Sequence, residues 1–182
     1  MTKEETNEVL NKFASEFPSI RSMNATERQT KFKLWYDTFK NVPAQIVNHA
    51  ISQEMISSHS GFAPTIGQVI NRILESVTAD PETESSDAWN TIIRFIHNYS
   101  QDDYRNHYDE LPEKIKMLIS VPDLRAIANN TPEQNHNFEK PRFMTQYKTV
   151  KERYDRQMIA QGRIDLIADP GKMKLIGFGN GK

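Results

Sequence analysis

From Ile66 to Val77 the apolar residues Ile66, Val69, Ile70, Ile73, Leu74 and Val77 hold the spacing of one helix face without a miss. Directly before them stands Gly61-Phe62-Ala63-Pro64-Thr65. A residue ahead of proline is pushed toward extended backbone, so Ala63 stays outside the helix. Thr65 supplies an N-cap hydroxyl, and Gln68, three positions on, completes a Thr-x-x-Gln capping box over the orphan N–H groups of the first turn. Phe62, Pro64, Thr65 and Gln68 therefore form a structural device that fixes where a buried helix begins. A chain carrying such a helix must supply other apolar faces to cover it.

Those faces are helical as well. Val9, Leu10, Phe13 and Phe17 mark a first amphipathic segment that Pro18 ends. Phe32, Trp35, Tyr36 and Phe39 follow the polar start at Asn24, and Ile46, Val47, Ala50, Ile51 and Met55 follow Pro43. Strand alternation is nearly absent. Residues 78–87 (TADPETESSD) carry Asp80, Glu82, Glu84 and Asp87 and no apolar anchor, which reads as a linker. Beyond it Ala88, Trp89, Ile92, Ile93 and Ile96 form a further stripe. Short helices are expected around Tyr104–Leu111, after Pro112 and after Pro122, with a polar loop from Asn129 to Asn137. Phe143, Tyr147, Val150, Tyr154 and Met158 predict a long helix that ends near Gly162. The expected fold class is all-α: an N-terminal four-helix module (1–77), an acidic linker (78–87), a C-terminal helical module (88–162) and a flexible, partly irregular tail (163–182).

The chemistry search is negative. The absence of cysteine excludes disulfides, thiolate catalysis and cysteine-ligated metals. His49, His59, His97, His107 and His136 show no metal-ligand spacing. Asp102-Asp103 and Asp109-Glu110 read as solvated acidic faces rather than paired catalytic carboxylates. Gly177-Phe178-Gly179-Asn180-Gly181-Lys182 imitates a phosphate loop, but no helix follows to hold the anion. No stretch approaches the ~18 apolar residues of a membrane span, and the acidic N-terminus is no signal peptide. The expectation is a soluble intracellular protein, with no catalytic residues, cofactor or metal. A net charge of −1 argues against nucleic-acid binding through bulk charge.

Two features point to partners. Between Phe138 and Arg163 seven basic residues face three acidic ones, a local surplus of four positive charges. Arg142, Arg153 and Arg156 share the side of the helix opposite its apolar stripe, and Lys148 lies on the same helix. The tail adds Leu166-Ile167, Leu175-Ile176 and Phe178, apolar residues that so short a segment does not bury by itself. An acidic protein surface or a weak single-stranded DNA contact would satisfy these groups.

With these residues in view, the chain resembles the phage replicative-helicase loader/inhibitor family. Phe17-Pro18-Ser19-Ile20 is similar to the family's end of its first helix, and Trp35-Tyr36 followed by Val42-Pro43 to its passage from second to third helix. Phe62-Ala63-Pro64-Thr65-Ile66 resembles the usual Phe-Pro-Pro-Thr-Ile-Ala-Glu, with Ala63 for a proline and Gly67-Gln68 for Ala-Glu. Ala88-Trp89 and Phe143-x-x-x-Tyr147 resemble the second half of longer members, so the likeness runs from Met1 to about Met158. It implies a small helical adaptor without an ATPase site that grips a hexameric replicative helicase, restrains it and delivers it to an origin-bound initiator protein. On that basis Arg142, Lys148, Arg153, Arg156, Leu166, Ile167, Leu175, Ile176 and Phe178 are expected to contact the helicase. Two alternatives stay open: an inhibitor of the host helicase or of its loader, and an origin or single-stranded DNA-binding protein.

Overall fold

The computed structural model describes residues 1–58, 61–169 and 172–173. The fold is all-α, with no strand among the described residues. Two compact units result: Met1–Thr78 together with the described residues from Asp155 onward, and Ala79–Tyr154.

The first unit contains α1 (Lys3–Glu16), α2 (Pro18–Arg21), α3 (Ala25–Phe39), α4 (Ala44–Ser57) and α5 (Ile66–Val77). Each long helix begins where a side chain or proline can begin it. Thr2 and Glu5 close a capping box on α1, Asn24 and Glu27 close one on α3, and Pro43 precedes α4. The short α2 is an addition to the four expected helices: Pro18 ends α1 and at once starts a single turn that buries Ile20. Phe13 meets Trp35 edge-on at 5.3 Å, and Trp35 leans on Phe39 at 5.4 Å. Only Trp35 and Phe39 of α3's expected stripe are fully buried; Phe32 and Tyr36 stack on each other at 6.0 Å on its margin. Val69, Ile73 and Val77 drive α5 into the core against α4.

The second unit contains α6 (Pro81–Asn98), α7 (Tyr104–His107), α8 (Glu113–Lys116), α9 (Val121–Asn129), α10 (Pro132–Gln134) and most of α11 (Lys140–Ala160). Its core is built on Trp89, Ile92, Phe95, Tyr104, Ile115 and Leu124, with Phe143 and Tyr147 of α11.

Three expectations need correction here. The acidic stretch 78–87 is no linker from Pro81 on: Asp80 accepts hydrogen bonds from the Glu82 and Thr83 N–H groups and starts α6. Proline at N1 and glutamates in the first turn are what a helix N-terminus prefers. The polar run expected as a loop is helical from Pro132, passing through a π-helical turn, Asn135–Glu139, into α11. The C-terminal segment is not a uniformly flexible tail. Ile164–Leu166 form a 3₁₀ turn, Ile164 and Ile167 are buried, and the Asp169 N–H donates to the Val77 carbonyl at 2.6 Å. This segment belongs to the first unit, so the chain leaves that unit after Thr78 and returns to it at Asp155.

Candidate partner-binding surfaces

In the first unit the α5 start does more than cap. The Thr65 hydroxyl accepts from the Gln68 N–H, and Gln68 Oε1 accepts from the Thr65 N–H at 2.9 Å. The other end of the same amide donates from Nε2 to Glu54 Oε1 at 3.1 Å. Glu54 is 7% exposed, and its second oxygen accepts from Arg72 Nε at 2.7 Å. Arg72 also reaches Glu75 and the Ser57 hydroxyl. The capping residue is thereby tied into a buried carboxylate between α4 and α5. Above this network Phe17, Met55, Phe62, Pro64 and Gln68 line a groove of about 190 Å³ in which Phe62 is 73% exposed.

The closing segment fits tightly on the same unit. Gly162 has φ +73°, a left-handed backbone, and packs directly on Asn41 between α3 and α4. Arg156 donates to Asn71 Oδ1 at 2.8 Å, and Lys172 Nζ donates to the Glu75 carbonyl.

In the second unit Glu84 is the centre of a partly buried charge cluster. Its Oε1 accepts from Lys114 Nζ at 2.8 Å and from the Tyr147 hydroxyl at 3.1 Å. Its Oε2 lies 3.0 Å from Lys151 Nζ. Burial pushes this carboxyl up, but the hydrogen bonds and attraction of Lys114 and Lys151 outweigh burial and hold it below the ordinary carboxylate range. Two residues earlier Glu82 pairs with Lys148. At the other end of the unit Glu110 accepts from the Tyr99 hydroxyl at 2.6 Å and meets His107 Nδ1 at 2.7 Å. The Tyr99 ring stacks on His107 at 3.9 Å, so Glu110 is a partnered side chain rather than a merely solvated one.

A second recess, about 170 Å³, opens between α9 and α11. Its floor is Trp89, Ile119, Ile127 and Phe143; its lips carry Asp123, Ala126, Glu139, Arg142 and Gln146. Asp123 is committed to its own helix. Hydrogen bonds from the Ser120 hydroxyl and N–H, with a smaller attraction from Arg142, hold its carboxyl below the ordinary range against the opposing effect of burial.

The residues expected to meet a partner divide between the two units. Arg142, Lys148 and Arg153 lie in the second; Arg156, Leu166 and Ile167 belong to the first. Arg142 and Arg153 are exposed, Arg156 is exposed but bonded to Asn71, and Lys148 is engaged by Glu82. Leu166 is exposed, but Ile167, expected to be unburied, is buried because the 3₁₀ turn directs it into the first unit. Leu175, Ile176 and Phe178, and the glycine-rich end of the chain, lie outside the described residues. On α11 the buried face is rotated from the expected stripe: Lys151 and Asp155 occupy it, while Val150 and Tyr154 sit at its edge.

Sequence reasoning passed over Glu54, Glu84 and Lys151. The signal was present for two of them: Glu54 stands three and four residues after Ile51 and Ala50, and Glu84 four before Ala88, on otherwise apolar stripes. Among the described residues no three His, Asp or Glu side chains come together as metal ligands, and no helix is long and apolar enough to cross a membrane.

These features define a class: an all-α protein of small helical units whose notable surfaces are apolar recesses rimmed by charge. Comparison with known families makes this more specific. Residues 1–70 match the family described as the N-terminal domain of the helicase loader of phage SPP1, and the match is consistent with the phage helicase-loader family. No curated protein and no solved structure matches the chain.

Proposed function

We propose that this chain is a non-enzymatic adaptor of phage DNA replication, working in the cytoplasm of a bacterial host. It binds a hexameric replicative helicase of the DnaB kind, restrains it and loads it at an origin marked by an initiator protein. The observation that carries this reading is the match of residues 1–70 to the N-terminal domain of a phage helicase loader. The exposed cations of α11 agree with it. An adaptor that acts by binding alone must favour one conformation of the ring over another; a tenfold preference shifts that balance by about 1.4 kcal/mol. The contacts assigned to the helicase are Arg142, Arg153, Arg156 and Leu166, with Lys148 once it leaves Glu82.

The test is light scattering after size-exclusion chromatography of the chain mixed with a purified hexameric replicative helicase, together with the helicase's ATPase rate. A stable complex and a changed rate are expected. Separate elution with an unchanged rate refutes the proposal. Leu166→Glu is a better probe of the C-terminal contact than deletion, because deletion would also remove the buried Ile164 and Ile167 from the first unit.

A further inference from the structure

One side of the first unit, along α1 and α3, brings aromatic rings and cations together. Arg28, Phe32, Tyr36 and Lys40 stand at intervals of four and so form one row along α3, with Gln29 and Lys33 beside it. The Phe32 and Tyr36 rings lie within 4° of parallel, 6.0 Å apart, and both are partly exposed, so they form a flat platform at the margin of the core. From α1 the Lys3 ammonium stands 5.8 Å over the Tyr36 ring. Asn7 and Asn11 follow Lys3 at the same spacing and are exposed. Neither ring lines the recess between α1 and α4 or the groove before α5. Charge on this side is unequal. Lys3, Arg28 and Lys33 are exposed and have no hydrogen-bond or ion-pair partner among the described residues, while Lys40 meets Asp37 at 3.7 Å. Two carboxylates, Asp37 and the exposed Glu4 next to Lys3, stand against these four cations. Glu5 and Glu8 line the recess against α4 instead, and Glu27, nine residues before Tyr36, lies on the opposite side of α3.

We infer that this face binds single-stranded nucleic acid. Bases stack on the Phe32–Tyr36 platform, and the phosphates beside them run along Lys3, Arg28 and Lys33. Every base has a π-face, so such a platform tolerates any sequence, and the surplus of cations draws the backbone. Lys3 is the adjustable member: in the free chain it covers the Tyr36 ring, and a phosphate that draws it away opens that ring to a base. Asn7, Asn11 and Gln29 supply uncharged donors along the same path. A double helix keeps its base faces inside the stack, so the rings select the single strand. An acidic peptide satisfies the cations but leaves the rings without a stacking partner. The chain's formal charge of −1 does not oppose this contact, because the attraction is local and its salt dependence correspondingly shallow. The inference goes beyond the proposed function, since gripping a helicase requires no nucleic-acid contact from the adaptor itself.

The test is the fluorescence anisotropy of a labelled oligothymidine of about 12 nucleotides, titrated with the full chain at salt concentrations from about 50 to 200 mM. Contacts from Lys3, Arg28 and Lys33 predict that log K falls against log salt with a slope of about −2, and Lys33→Gln should flatten that slope by about 0.7. Phe32→Ala and Tyr36→Ala should each weaken binding about tenfold at fixed salt, with circular dichroism checking that each remains helical. Lys33 is exposed, so its arm of the test holds even if a ring variant unfolds. A duplex of the same length should bind more weakly than the single strand, and the double variant Arg142→Gln/Arg153→Gln should bind as wild type does. No anisotropy change at the lowest salt, an unaltered slope in Lys33→Gln, or wild-type affinity in the folded ring variants overturns the inference. Equal binding of the duplex, or displacement of the strand by an equal concentration of polyglutamate, shows attraction by charge alone and overturns it too. Loss of binding in the Arg142→Gln/Arg153→Gln variant places the strand on α11 and refutes the assigned face.

Discussion

Gly162 is the position where a single methyl group should have the largest effect on the first unit. Its φ of +73° lies in the left-handed region, which costs an L-residue about 1–2 kcal/mol. A Cβ there would also stand 2.6 Å from the Asn41 carbonyl oxygen and closer still to Asn41 Cβ. Neither neighbour is the far end of a flexible side chain, so backbone must move, an overpacking cost of about 1–3 kcal/mol. The lower entropy of the unfolded alanine chain returns about 0.4–1 kcal/mol. Gly162→Ala should therefore destabilise the first unit by about 2–4 kcal/mol.

The protein has one escape from that strain. It can release the segment after Gly162, losing the burial of Ile164 and Ile167, which at about 1.5–3 kcal/mol each is comparable to the strain itself. Two readouts separate the cases. Urea unfolding followed by Trp35 fluorescence, in a Trp89→Phe background, reports the first unit alone, since Trp35 is its sole tryptophan. Trypsin cleavage after Arg163 reports release. Gly67→Ala is the control of opposite sign: nothing lies within 4 Å of its added Cβ, and position 67 is helical, so the change should stabilise by about 0.5 kcal/mol. If Gly162→Ala unfolds within about 0.5 kcal/mol of wild type and its Arg163 site is cut no faster, the packing argument is wrong.

The remaining predictions concern the two charge networks. Gln68→Glu keeps a cap acceptor but sets a second carboxylate against buried Glu54, and should cost about 1–3 kcal/mol in urea unfolding; stability equal to wild type would show that Arg72 alone satisfies Glu54. Because the folded-state Glu84 carboxyl is depressed, its contribution is present above the unfolded carboxyl value of about 4.3 and is lost as pH falls through the lower folded value. Between pH 5 and 2 the wild type should thus lose more stability than Glu84→Gln, and parallel acid profiles would refute the assignment. At neutral pH Glu84→Gln should itself destabilise the second unit by about 1–3 kcal/mol, discounted for partial exposure.

The helices with unbroken apolar periodicity were legible from sequence, and so was the α5 start, because a Thr-x-x-Gln pair after proline acts over a few residues. What escaped was burial by groups that the hydropathy pattern counts as outside. Ser85 is fully buried and Glu84 is anchored by Lys114 and Lys151, so the first turns of α6 looked like a linker. Lys151 enters the buried face of α11 because Glu84 compensates its charge, and that pairing spans most of the second unit's sequence. The arginines of the candidate surface could be read from the helical wheel. The recess beneath Arg142 could not, since Trp89, Ile119 and Phe143 meet only through the fold of α6, the connection from α8 to α9, and α11.

The return of the chain at Asp155 leads to a last prediction. The matched family domain covers residues 1–70, yet in this protein the first unit also holds Ile159, Ile164 and Ile167, all buried. At about 1.5–3 kcal/mol each, these three side chains contribute about 4–9 kcal/mol before the cost of ordering their backbone. A fragment ending at Thr78 should therefore fold less stably than the same unit in the whole chain, and Val77 and Asn41 would lose the segment that covers them. Adding a peptide of residues 155–173 should raise the fragment's unfolding temperature in a concentration-dependent way, as expected when a ligand binds only the folded state. Hydrogen exchange at Ile73 to Val77 gives the local readout. If the bare fragment is as stable as the intact unit and the peptide leaves its unfolding unchanged, the closing segment contributes nothing to the domain, and its contacts with Asn41, Asn71 and Val77 have no energetic role.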